Sequence, residues 1–192
     1  ALLRPADEDA KAAGTPRRLG CYPLLPWSNR IAEGGFERPD GWQVLAPNTD
    51  HDPYPIHGSA WQQAWQVDHH SERRIRLTLD SEWPFAYQAT LDVHLHEGCL
   101  NLDLHVTHLD EQANWYGLGL HPYFPRHPGT RLLAPAQSVW LGEEGRLPWF
   151  EAEIPEDWRF AELAGLPVRQ VDHAFSGWAG ECVIEQPGYR LE

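Results

Sequence analysis

Four short polar segments set ionisable side chains among glycine, proline and aromatic neighbours. They are Pro26-Trp27-Ser28-Asn29-Arg30-Ile31, Pro55-Ile56-His57-Gly58, Gly117-Leu118-Gly119-Leu120-His121-Pro122-Tyr123-Phe124 and Val171-Asp172-His173-Ala174-Phe175. Rigid neighbours of this kind hold a side chain at a loop or strand end, where a β scaffold carries its binding groups. An imidazole, with an unperturbed pKa of about 6.5, exchanges protons near neutral pH. A guanidinium offers a planar fork of donors and a carboxylate offers paired acceptors, and both suit adjacent hydroxyl groups. Each residue also has a plainer use: Arg30 as a surface ion pair, His57 before Gly58 as a turn filler, Asp172 as a turn or cap residue, and His121 as a core or turn histidine. His121 is the most suggestive of them, because the Pro122 ring restricts the preceding residue to extended backbone.

The elements that must position these groups read as strands. Seventeen Pro and sixteen Gly interrupt nearly every apolar stretch and leave little room for long helices, which favours an all-β protein. Arg74 to Asp80 and Tyr87 to Glu97 alternate with period two. After a Glu97-Gly98 turn signal the alternation resumes at Cys99, which predicts an antiparallel hairpin with Leu100, Leu102, Leu104 and Val106 on its buried face. A short helix is expected within Glu156 to Leu163, opened by acidic residues, and residues 4 to 20 read as a mobile polar surface stretch. At 192 residues the expectation is one domain, residues 1–192.

Composition narrows the partners. A formal net charge of -13 repels phosphate backbones and anionic membranes, so neither nucleic acid nor a membrane is an expected partner. The 10 Trp either fill cores or offer flat faces to the C–H side of a sugar. Cys21, Cys99 and Cys182 fit neither a disulfide framework nor a cysteine zinc site, and a reducing, cytoplasmic compartment is the expectation. His94 and His96 share a strand face and could begin a metal site, but His105 and His108 fall on opposite faces of the neighbouring strand.

The combination and order of the four segments resembles the aldose 1-epimerase, or galactose mutarotase, family. The resemblance rests on Asn29-Arg30-Ile31 with Gly35-Phe36, on His57-Gly58, on Gly117 to Phe124, and on Asp172 with Gly177-Trp178; Trp83-Pro84-Phe85 adds to it. It spans residues 21 to 188, and His121-Pro122-Tyr123-Phe124 is its most specific part. It implies a galactose mutarotase-like β-supersandwich of antiparallel strands, truncated at both ends, acting on a sugar. The implied reaction interconverts the α and β anomers of a free hexose by ring opening and reclosure, with no cofactor and no metal. By the same resemblance His121 is the catalytic acid, while Arg30, His57 and Asp172 bind the sugar and Asn29 braces Arg30.

The chain departs from the family pattern at the base. The family's glutamate lies on a late strand beyond the Gly-Trp segment; here only Glu181, Glu185 and Glu192 follow Trp178, and none carries the surrounding motif, so no base is assigned. Thr107-His108 also stands where members carry an asparagine. The alternatives are a non-catalytic carbohydrate-binding protein or a hexose-phosphate mutarotase-like protein. A phosphate would call for a second basic group near Arg30, for which Arg17 and Arg18 are the candidates.

Overall fold

The computed structural model describes residues 1–142 and 147–192. The chain forms two compact units, Ala1–Phe124 and Pro125–Glu192. As the proline and glycine density implies, the chain is built of short strands with little helix, and every strand pairing among the described residues is antiparallel.

The first unit is organised by a four-stranded sheet of β4 (Gln66–His70), β5 (Arg74–Ser81), β6 (Tyr87–His96) and β7 (Cys99–His108), in that order. The predicted hairpin is present: β6 and β7 pair from Tyr87↔His108 to His96↔Cys99. Glu97 and Gly98 close it with φ of 49° and 82°, and positive φ at both central residues gives the connection the twist of the strands it joins. The face bearing Leu79, Tyr87 and Ala89 buries against Leu25, Ala60 and Phe85, with Leu104 and Val106 packed on the cluster. Leu100 departs from the expected burial: it sits at the turn end of the hairpin, away from that cluster, and stays 36% exposed.

Two smaller pairings carry the polar segments. One joins β1 (Pro23–Leu24) to β8 (Gly119–Leu120), and the other joins β2 (Gly35–Arg38) to β3 (Gly41–Val44). The polar opening of the chain holds a helix, α1 (Glu8–Ala13). Asp7 caps it by accepting the Ala10 N–H at 2.7 Å, and Gly14 ends it at φ 59°, a conformation that costs glycine no Cβ clash. Arg4 fixes this stretch further, its N–H donating to the Tyr123 carbonyl at 2.7 Å.

The second unit contains two sheets. Strands β9 (Arg131–Leu133), β12 (Ala164–Gly165), β14 (Val183–Gln186) and β15 (Tyr189–Leu191) form one in the order β12-β9-β14-β15; β10 (Ser138–Gly142), β11 (Pro148–Ala152) and β13 (Ala174–Ser176) form the other around β10. Val139, Ile154 and Trp158 are its core, against which Val171 and Phe175 pack. The helix expected from Glu156 is a single 3-10 turn, Glu156–Trp158. Trp158 is drawn into the core and Arg159 is already extended, so the turn does not propagate.

Candidate active site

The strand end that carries His121 is fixed by backbone bonds. Pro23 pairs with Leu120 and Leu24 with Gly119. Beyond the ladder, the His121 N–H donates to the Tyr22 carbonyl at 2.9 Å and the Tyr123 N–H donates to the Gly20 carbonyl at 2.8 Å. His121 therefore lies beside Tyr22, stacked on its ring at 4.8 Å and 18°, with the Tyr123 ring also 4.8 Å away. The two phenol oxygens are 3.4 Å apart. Burial and the neighbouring Tyr123 hydroxyl hold the Tyr22 phenol protonated well above its ordinary range.

His57 reaches the same place from a different joint. A short backbone ladder ties residues 29–31 to 55–57: the Ile31 N–H donates to the Pro55 carbonyl at 3.1 Å and the His57 N–H to the Asn29 carbonyl at 2.9 Å. The Asn29 N–H in turn donates to His57 Nδ1 at 3.2 Å. A nitrogen that accepts carries no proton, so the neutral ring bears its hydrogen on Nε2 and has a donor to present. Asn29 and His57 both take left-handed backbone, φ 57° and 63°. Such conformations cost about 1–3 kcal/mol each where the surroundings impose them.

The surroundings that impose them are glycine and asparagine. Gly58 follows at φ 69°, and a Cβ there would stand 1.9 Å from the Leu25 carbonyl oxygen, so the chains approach as closely as they do only because no side chain intervenes. Asn48 clamps the outer side of the loop. Its Nδ2 donates to the Ile56 and Gly58 carbonyls at 2.9 Å each, and its Oδ1 accepts the Ile56 N–H at 2.8 Å. Trp61 adds an indole N–H to the Gly58 carbonyl at 3.0 Å.

Arg30 is aimed rather than loose. Its Nε donates to Asp52 Oδ2 at 2.7 Å, with the two side chains 19% and 10% exposed, and its Nη1 leans on Asn29 Oδ1 at 3.4 Å. Asp52 is itself set by the Tyr54 N–H, which donates to Oδ1 at 3.1 Å. Sequence alone does not single out Asp52 and Asn48; five consecutive polar residues, Asn48-Thr49-Asp50-His51-Asp52, give no pattern that selects two of them.

Four of the five sequence-chosen residues thus form one connected group in the first unit: Asn29 contacts both His57 and Arg30, and the His57 and His121 rings lie 5.6 Å apart at 72°. Burial lowers the His57 pKa to about 4, reinforced by the charges of His121, Arg17 and Arg30 and opposed by Asp52, so His57 is neutral at physiological pH. The fifth, Asp172, lies in the second unit, exposed, two residues before β13. Of the late acids, Glu185 pairs with Arg131 at 3.1 Å and Glu192 with Arg190 at 2.7 Å, while Glu181 is exposed. His94 and His96 stack at 5.8 Å on the solvent face of β6; among the described residues no group of three or more metal-ligating side chains is assembled.

A model of the aldose 1-epimerase family matches residues 2–190. The chain belongs to that family. Among proteins similar to this family member, the uncharacterized protein YphB of Escherichia coli K12 is 34% identical over 194 residues, a match covering 99% of this chain and 66% of YphB. A crystal structure from Escherichia coli K12, of a protein described as an unconfirmed aldose 1-epimerase, superposes with a TM-score of 0.91 at 34% identity, over 97% of this chain and 63% of that one. A galactose mutarotase-like protein from Clostridium acetobutylicum shares the fold, with a TM-score of 0.69 at 19% identity over 96% of this chain and 64% of that one. The chain thus spans somewhat under two thirds of the length of these proteins.

Proposed function

We propose that the protein interconverts the α and β anomers of an aldose. The observation that carries this reading is the pairing of a neutral, tautomerically fixed His57 with His121 5.6 Å away, beside an Arg30 already oriented by Asp52. Anomer exchange needs a proton delivered to the ring oxygen as another passes from the anomeric hydroxyl to a base, a part that solvent water takes here because no side chain is assigned to it; the C1–O5 bond breaks, C1–C2 rotates, and reclosure reverses both transfers. His121 delivers and recovers the ring-oxygen proton. His57, donating from Nε2, and Arg30, donating from the edge that Asp52 leaves unoccupied, hold sugar oxygens so that the ring oxygen faces His121. Asn29 holds both of these side chains. Tyr22, Tyr123 and Trp61 pack against the two imidazoles and hold their rings in place. The chemistry calls for neither metal nor cofactor. The free state of all three cysteines supports the reducing, cytoplasmic setting expected for such an enzyme.

The test is the rate at which freshly dissolved α-D-glucose or α-D-galactose changes its optical rotation with and without the protein. Acceleration above the spontaneous rate supports the reading; binding without acceleration would leave a carbohydrate-binding protein in its place. His121→Asn should lower the accelerated rate by about 10²–10⁴-fold, the range a positioned acid contributes, while sugar still binds. An unchanged rate removes His121 from the acid role.

A further inference from the structure

On a chain of formal net charge -13, two guanidiniums, those of Arg17 and Arg30, bring positive charge to the His57 ring. Arg17 lies in the 3-10 turn Pro16–Arg18, and its guanidinium carbon is 5.2 Å from the centre of the Trp61 ring. That ring is 6.3 Å from His57 and 5.6 Å from Tyr22, and the Arg17 charge reaches both. The neighbouring arginines are committed. Arg18 grips both Asp7 oxygens at 2.8 and 2.7 Å. Arg4 lies 3.8 Å over the Tyr123 ring and gives its Nη2 to the Arg17 and Leu19 carbonyls. Among the described residues, no hydrogen bond or ion pair engages the Arg17 guanidinium. The carboxylate beside the cluster, Asp52, is taken by Arg30. A guanidinium resting on an indole keeps its in-plane N–H edges open, and those edges match a carboxylate or phosphate bidentately.

We propose that the aldose bound here carries an anionic substituent, a carboxylate or a phosphate, and that Arg17 is the group that recognises it. This rests on reading the cluster as a sugar site. A neutral sugar would offer Arg17 hydroxyl acceptors but no charge, whereas an anion would be held against the general repulsion of an acidic protein by an unpaired cation beside the cluster. The structure also separates the two candidates offered by the sequence: Arg18 faces Asp7, and Arg17 faces the rings.

The experiment compares D-glucuronate, D-glucose 6-phosphate and D-glucose as substrates in NMR exchange between anomers, using the whole chain at low and moderate salt. The expected result is a kcat/KM for one of the anionic sugars above that for glucose, with the identity of that sugar separating carboxylate from phosphate recognition. In Arg17→Gln the ratio of anionic-sugar to glucose kcat/KM should fall about tenfold, the range of one charge-assisted hydrogen-bonded contact, with the loss in KM. The wild-type preference should also shrink from 20 mM to 300 mM salt, concentrations chosen to bracket a Debye length of about 10 Å. Equal kcat/KM for all three sugars, or an unchanged ratio in Arg17→Gln, overturns the proposal. If no exchange is accelerated, the anomer reading fails, and saturation-transfer binding of the same three sugars decides this proposal separately: Arg17-dependent binding of an anionic sugar sustains it, and indifference to charge or no binding overturns it.

Discussion

Replacing His57 by Asn isolates the energetic consequence of holding an imidazole neutral in the cluster. The folded pKa is about 4 against an ordinary value of 6.5, so between those limits the unfolded chain binds a proton that the folded chain refuses. Stability from this source is complete above about pH 6.5, falls as pH drops through the window, and loses nothing further below about pH 4. At about 1.36 kcal/mol per unit the full shift would be worth ~3.4 kcal/mol, but His57 is only partly buried, and screening by solvent brings the expected loss to about 1–2 kcal/mol. Asparagine removes the titration, accepts the Asn29 N–H through its side-chain oxygen, and tolerates the left-handed backbone that position 57 requires. Urea unfolding of both proteins at pH 7.5, 6.0, 5.0 and 4.2, values chosen to cross the window, gives the comparison. The wild-type curve should lose about 1–2 kcal/mol more than His57→Asn on descending through it. Parallel curves, or a His57 ring that titrates near 6.5 by NMR, would refute the account of the cluster's electrostatics.

Substitutions at three other positions probe the joints. Gly58→Ala places a methyl group 1.9 Å from the Leu25 carbonyl oxygen at φ 69°, and should cost about 3 kcal/mol or more in denaturant unfolding; a loss under about 1 kcal/mol would show that the two backbones can part. Asn48→Ala strips hydrogen bonds from the buried Ile56 and Gly58 backbone and should cost about 2 kcal/mol, with sugar binding weakened because the His57 turn loosens; intact binding at reduced stability would separate the clamp from the site. Asp52→Asn leaves the Arg30 charge with a neutral acceptor, so KM should rise about tenfold in the polarimetric assay while kcat moves little, and Asp52→Ala should additionally lower stability by about 2 kcal/mol. A change confined to kcat would assign Asp52 to the chemical step instead.

The hairpin and the fold class were legible because both depend on local rules. Period-two alternation through Tyr87 to Glu97, a Glu97-Gly98 turn and a second alternating run leave one register in which the leucines face a core, and β6 and β7 adopt it. What alternation does not report is how far a core extends. Leu100 and Leu102 carry the same pattern signal as Leu104 and Val106, yet only the latter two reach the cluster around Tyr87. Burial there is decided by Leu25, Ala60 and Phe85 arriving from elsewhere in the chain. The opening stretch shows the converse: its mixture of charges reads as solvent-facing, which Arg17 and Arg18 are, but the Arg4 contact to Tyr123 depends on a partner outside any local window.

The site divides along the same physical line. His57, His121, Arg30 and Asn29 stood out because glycine and proline beside an ionisable residue record backbone demands, and those demands are visible wherever they occur: Gly58 exists for its approach to Leu25, and Pro122 for the extended turn of the chain after β8. Charge partners leave no such trace. Either Asp50 or Asp52 could have met Arg30, and Arg17 and Arg18 are indistinguishable as adjacent letters until the 3-10 turn points one to Asp7 and the other to Trp61. Backbone geometry limits a position to one or two residue types, whereas an ion pair requires only opposite charge within reach, which many positions satisfy. The glycines and prolines of a site can therefore be read directly from the sequence. The carboxylates that aim its cations, and the cation left unpaired for a ligand, are fixed only by the fold.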